Sequence, residues 1–246
     1  GGPPPPPQLP CLASPHALPR LRHAMVRGGD PSPPSSGRSS RGQHDPLGAA
    51  PPGEIGLIPF YRGIGVDDKG RSFEEILSWD DDRMEYQHDF IQWIFPTDEA
   101  SKFNRNAPLL KGDVVDVFLQ DQQIRRNLRR GLRRFLTFLG LEMQGGRGTE
   151  EPLRVQPAAN FNRRVHTCWQ GFGFMGNHNW LRISRVLHCL GMVRMREEQE
   201  AFHACLEQLF QDGLPLGSAI QHWRDRAANR GPRNKGSESS STCAVC

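Results

Sequence analysis

No apolar run in this sequence approaches the ~20 residues that an α-helix needs to cross a bilayer, so no membrane-spanning helix is expected. Cysteine is sparse and irregular. The six, Cys11, Cys168, Cys189, Cys205, Cys243 and Cys246, show no framework spacing. That speaks against a disulfide scaffold and for free thiols in a reducing, intracellular compartment. Metal-ligand spacing is missing too. His166 and Cys168, His188 and Cys189, and His203 and Cys205 sit one or two positions apart, and such neighbours point away from each other on a helix. The Gly63–Gly65 pair lacks the third glycine and the Lys-Ser/Thr of a phosphate loop. A Cys168/His178 nucleophile–base pairing can be drawn, but spacing gives it no geometry. No catalytic residues, cofactor or metal are therefore expected, and the protein is not expected to be an enzyme. Period-two alternation and internal repeats are absent, and no feature assigns an oligomeric state. The chain begins at Gly1 rather than Met, so a targeting segment ahead of it stays open.

Hydrophobic residues make up only 36% of the chain, and they are concentrated in its middle. The division expected is a disordered Pro/Gly/Ser/Arg-rich head over 1–53, one domain over 54–228 and a disordered tail over 229–246 ending CAVC. Within the domain the periodicity is helical, which predicts an all-α, compact single-domain bundle of roughly six to eight helices. Ser72 and Glu75 have capping-box spacing. Asp80, Asp81 and Asp82 suit the positive end of a helix that carries Met84, His88, Ile91 and Phe95 on one side and stops at Pro96. Asp121 caps the strongest amphipathic element, with Ile124, Leu128, Leu132, Phe135 and Leu139 on one face and Gly140 at its end. Glu142 to Ala159 reads as a surface loop.

The stretch GNHNWLRISRVLHCLG, Gly176 to Gly191, reads as the central helix. Ile183, Val186, Leu187 and Leu190 form its apolar stripe, Asn177 or Asn179 caps its start, and Gly191 ends it in a left-handed conformation. Arg182 and Arg185 share a face outside that stripe. A second feature is the pair of arginine rows, Arg125, Arg129 and Arg133 beside Arg126, Arg130 and Arg134. These read either as a solvated helix back or as a footprint for phosphate, in RNA or lipid head groups. No aromatics interleave with them, so nucleic acid is the weaker candidate. The net charge of +4 permits such contacts without arguing for them. The end, Cys243-Ala-Val-Cys246, has the form of a prenylation signal, with Arg224, Arg226, Arg230, Arg233 and Lys235 upstream. Lipidation at Cys243 would make this a peripheral membrane interaction module.

Two longer stretches carry a resemblance. One runs from Phe60-Tyr-Arg-Gly63 through DDKGRSFEEILSWDDDRMEYQHDFIQWIFP to Pro96, and the other is NHNWLRISRVLHCLG. SKFNRNAPLL (Ser101 to Leu110) and His222-Trp-Arg224 fit as well. Together these resemble the conserved domain of opioid growth factor receptors and their relatives, bacterial members included, over about residues 56 to 226. The resemblance implies a receptor-like binding protein without transmembrane helices, acting at the nucleus and its envelope on cell growth. Its ligand would be a peptide or protein, an opioid peptide being the named candidate. It supplies no catalytic residues. The peptide repeats that follow the domain in the receptors have no counterpart in this sequence. Two readings of the shared words stay open. Trp93, Phe95 and Trp180 can be core, with His88 and Asn179 bonding helix ends. Alternatively Asn177, His178, Asn179, Arg182 and Arg185 line a polar cleft for a peptide carboxylate or another anion.

Overall fold

The computed structural model describes residues 54–102, 104–171 and 176–228. Their architecture is helical. Ten α-helices and one π-helical turn form among them, with two small two-stranded sheets.

The first strand, β1 (Glu54–Ile55), leads into α1 (Leu57–Arg62), which ends at Gly63 in the left-handed region (φ 77°) and returns as β2 (Gly65–Val66), parallel to β1. Next comes α2 (Phe73–Leu77), where Ser72 Oγ accepts from the Glu75 N–H. Only half of the expected capping box forms, because the Glu75 carboxylate reaches Arg83 instead. Helix α3 (Asp81–Tyr86) starts with Asp80 accepting from the Arg83 N–H. Helix α4 (Ile91–Ile94) follows after a break. The single helix expected from Asp81 to Phe95 is thus two, and His88 lies exposed in the gap rather than on an apolar face. Neither proline nor glycine causes this break. The carbonyls of Met84 and Gln87 are taken by Arg182, far along the chain, and Asp89 is held by Lys69 and Arg71. This break adds one helix to the expected number, and the short helices at 57–62 and 161–164, where none is expected, bring it to ten among the described residues.

Helix α5 (Asp113–Gln120) is short, and α6 (Gln122–Leu139) is the longest element. Asp121 Oδ1 accepts from the N–H groups of Gln123 and Ile124, and Gly140 (φ 79°) ends the helix, both as its sequence predicts. All five residues of its predicted apolar face are buried. The stretch after it is not the loop expected. β3 (Leu141–Gln144) pairs antiparallel with β4 (Arg154–Pro157) in the register Leu141↔Pro157, Gln144↔Arg154. Leu141-Glu-Met-Gln144 does alternate apolar and polar, but four residues is the shortest stretch from which that signal can be read, and Arg154-Val-Gln-Pro157 adds little to it.

Helix α7 (Phe161–Arg164) runs into the π-helical turn Val165–Trp169. The central helix, α8 (Asn179–Met192), follows, then α9 (Arg196–Gln211) and α10 (Ala219–Ala228). Helix α8 packs against the π turn, α9 and α10, and its Ile183, Val186, Leu187 and Leu190 are fully buried. Gly191 does not end it. The helix passes through that residue, and the left-handed position falls on Arg194 (φ 52°). The core continues through Phe60, Tyr61, Phe73, Trp93 and Phe118, whose rings meet mostly edge to face. Trp93 and Phe95 are core as expected, whereas Trp180 is only partly buried and Phe210 is exposed. No helix of the described residues is long and apolar enough to cross a membrane.

Candidate ligand cleft on the central helix

Helix α8 turns its polar side toward a cleft of about 460 Å3. His178, Leu181, Arg182 and Arg185 follow the i, i+3, i+4 rhythm of one helix face and make one wall. The other wall comes from His88, Ile91 and Gln92 and from the segment Thr97 to Lys102, and Arg226 of α10 also lines the space.

Arg182 forms part of the structure beneath this surface, being only 5% exposed. Its Nη1 donates to Met84 O (3.0 Å) and Asn179 Oδ1 (3.0 Å), and its Nη2 to Gln87 O (2.8 Å). A helix end leaves carbonyls without intrahelical donors, so this guanidinium caps the C-terminus of α3 from another element. Its plane also lies near the rings of Phe90 and Phe138. Burial pushes its pKa down to about 10, against the opposing charge of Glu85, so it stays protonated at neutral pH. Arg185 does the same for α4. Its Nη1 donates to Phe95 O (3.3 Å) and Thr97 Oγ1 (3.0 Å), and burial holds its pKa below the usual arginine value.

The asparagines are ties as well. Asn177 Nδ2 donates to the carbonyls of Thr167 and Gln170, both at 3.0 Å, and its Oδ1 accepts from the Asn179 N–H at 2.8 Å. One side chain thus joins the π turn to the first turn of α8. Asn179, fully buried, donates to Glu85 Oε2 (3.4 Å). His178 reaches the other Glu85 oxygen (Nε2 to Oε1, 3.1 Å), and its ring meets that of His88 edge to face at 5.0 Å. Burial raises the Glu85 pKa, but the hydrogen bonds from His178 and Asn179 and the charge of Arg182 hold it below the usual carboxylate range. His88 is pushed down by burial and then by Arg182 and His178.

Around Arg226 is a second polar group. Both of its Nη atoms pair with Glu99 (2.6 and 2.9 Å), and Nη1 lies 3.0 Å from His188 Nδ1. His188 Nε2 lies 3.3 Å from Asp98 Oδ1. Burial and the Arg226 charge push the His188 pKa down, against Glu99 and Asp98.

A family model described as Opioid growth factor receptor (OGFr) conserved region matches residues 57–225, which hold nearly all of these side chains. The chain belongs to the opioid growth factor receptor family. It is 34% identical over 163 residues to a human protein named opioid growth factor receptor, covering 64% of this chain and 22% of that one. A rat opioid growth factor receptor is 32% identical over 151 residues, covering 60% of this chain and 24% of its own length. An opioid growth factor receptor-like protein 1 from Xenopus tropicalis is 27% identical over 182 residues, covering 72% and 32%. The chain therefore spans between about a fifth and a third of the length of these relatives. No solved structure matches.

Of the cleft residues expected for this family member, His178, Arg182 and Arg185 do line one space, whereas Asn177 and Asn179 brace it from outside. The arginine rows of α6 are not one free cationic face. Arg125 donates to Val193 O, Arg129 to Glu198, Arg130 to both oxygens of Glu74, and Arg134 to Trp79 O and Asp81. Arg126 and Arg133 are exposed. Arg224 and Arg226, read in the sequence as a basic cluster before a lipid signal, pair instead with Glu207 and Glu99. Cys243 lies outside the described residues. Cys168, Cys189 and Cys205 are buried, and burial pushes their thiols up to about 11, 12 and 12, so they are neutral and poor nucleophiles at neutral pH. No group of three or more His, Cys, Asp or Glu side chains converges as a metal site among the described residues.

Nothing in the sequence marks Gln92, Lys102, His188 or Glu99 as site residues. The segment SKFNRNAPLL was a family word without an assigned role, and His188 looked like one more half-buried histidine. Only the approach of 97–102 to α8 makes them neighbours.

Proposed function

We propose that this chain is a non-enzymatic binding protein of receptor type, which takes a peptide or a short protein segment in the cleft on α8. One observation carries the reading. Leu181, 62% exposed, lines with Ile91 a concave space whose other lining residues are mostly polar. Concave sites that are mainly apolar with a few converging polar groups are where ligands bind. The relatives' name adds the ligand type, an opioid peptide, and the resemblance adds action at the nucleus and its envelope. The arginine rows support a phosphate or RNA reading less, since Arg125, Arg129, Arg130 and Arg134 are already engaged within the fold.

Calorimetric titration of the full chain with met-enkephalin, beside a scrambled peptide, tests the proposal. Selective binding that weakens in Leu181→Ser is expected, and an exposed leucine can be replaced with little cost to folding. Equal or absent binding of the two peptides by a folded chain removes the opioid ligand. A bound peptide indifferent to Leu181 removes the cleft.

A further inference from the structure

Resting on the cleft as the binding site, its charge and hydrogen-bond ledger narrows what fits. Glu85 already answers His178 at one end, and Glu99 and Asp98 answer Arg226 and His188 near the other. Three cations of the lining are left without a carboxylate within ion-pair distance among the described residues: Arg182, whose guanidinium is taken up by main-chain carbonyls and Asn179, and then Arg185 and Lys102. Arg185 uses Nη1 on a carbonyl and a hydroxyl, and no partner engages its Nη2 or Nε. Lys102 is exposed.

The lining also holds an orphan acceptor. Gln92 lines the cleft and is 4% exposed. Its Nε2 donates to Ser101 Oγ at 3.1 Å, while its Oε1 is buried without a donor. Leaving a buried carbonyl unpaired costs about 1–3 kcal/mol, but this oxygen is shielded from solvent, so a ligand N–H could reach it only if the side chain turned. Ile91 and Leu181 supply the apolar contact.

The geometry points to an extended peptide segment that carries a carboxylate next to an apolar side chain: the apolar group on Leu181 and Ile91, and the carboxylate on Arg185 and Lys102. A guanidinium with a free edge suits a carboxylate better than it suits a neutral amide. Either an acidic side chain or a free C-terminus can supply that carboxylate.

Four probes separate these sources: acetyl-Gly-Gly-Leu-Glu-Gly-amide and its glutamine twin, and acetyl-Gly-Gly-Gly-Leu as free acid and as amide. Each is titrated into the full chain and followed by NMR, with the Leu181 methyl and Gln92 side-chain amide signals as reporters. The expected result is that at least one acid binds about fivefold or more tighter than its neutral twin. That preference should fall in Lys102→Gln and at raised salt, and the pair that shows it identifies the source. Lys102 lies on the surface, so this variant keeps the fold where Arg185→Gln would loosen α4. Twins that bind alike, with shifts still centred on Leu181, overturn the carboxylate and leave the cleft standing. Silence from all four peptides against a folded chain overturns the inference, and the receptor reading then depends on the met-enkephalin titration alone.

Discussion

Arg182 looks in the sequence like a surface cation one turn from another. In the structure it is the buried donor that ends α3, bonded to two main-chain carbonyls and to Asn179. Arg182→Met keeps much of the volume but leaves Met84 O and Gln87 O without donors, and should cost about 2–4 kcal/mol in urea unfolding. A loss under about 0.5 kcal/mol, the range of ordinary surface changes, would refute the capping role. The histidines set a pH dependence. Burial, first among the causes, lowers the pKa of His188, His88 and His203 from the ordinary value of 6.5. As pH falls through 6.5 the unfolded chain takes up protons before the folded one, so stability present above that pH is progressively lost below it. Glu85, Asp89 and Glu99, all lowered, add to the loss at more acid pH as they protonate. His188→Gln should flatten the first part of that decline, between about pH 7 and pH 5, in unfolding curves recorded across the range. An unchanged slope would exclude His188 as a contributor.

At the scale of elements, local signals located the helices capped by their own residues, the five-residue α2 included, and missed α1, α7 and the division of α3 from α4. Asp121 and Gly140 bound α6 through their own side chain and backbone freedom, which a sequence displays. The gap between α3 and α4, the ribbon β3–β4 and the passage of α8 through Gly191 depend on contacts from other elements, which it does not display. Gly131 shows how closely two elements meet. A Cβ there would stand 2.8 Å from Ile94 Cγ2, so α6 approaches α4 at a point where only glycine fits. Alanine is the better helix former by about 1 kcal/mol, but the clash lies against a buried branched side chain on a neighbouring helix. Gly131→Ala is therefore expected to lower the melting temperature despite its propensity. A rise would mean that Ile94 has room to turn away.

Across the whole molecule, the arginines of α6 join parts of the chain that are distant in sequence. Arg129 donates through Nε to Glu198 Oε1 at 2.7 Å, and Glu198, on α9, is only 3% exposed. Arg129→Met strands a buried carboxylate and should cost about 3–5 kcal/mol, whereas the double change Arg129→Met with Glu198→Met should recover much of it, because desolvation of the pair offsets most of its attraction. A double-mutant cycle in urea measures this, and additive losses would show that the two side chains act independently. The helical class, the faces of α6 and α8 and, through words such as HDFIQWIFP and NHNWLRISR, the family are all legible in the residues alone. Those are properties of period, capping and residue identity along one stretch. Which arginines lack an acidic partner depends on packing. Arg182, Arg129 and Arg134 are drawn into the fold by carbonyls and carboxylates from elsewhere in the chain, while Arg185 and Lys102 line a cleft without a carboxylate partner among the described residues. A charge shows its type in the sequence, but its partner is set by which backbone ends and acids the packing brings within hydrogen-bond reach.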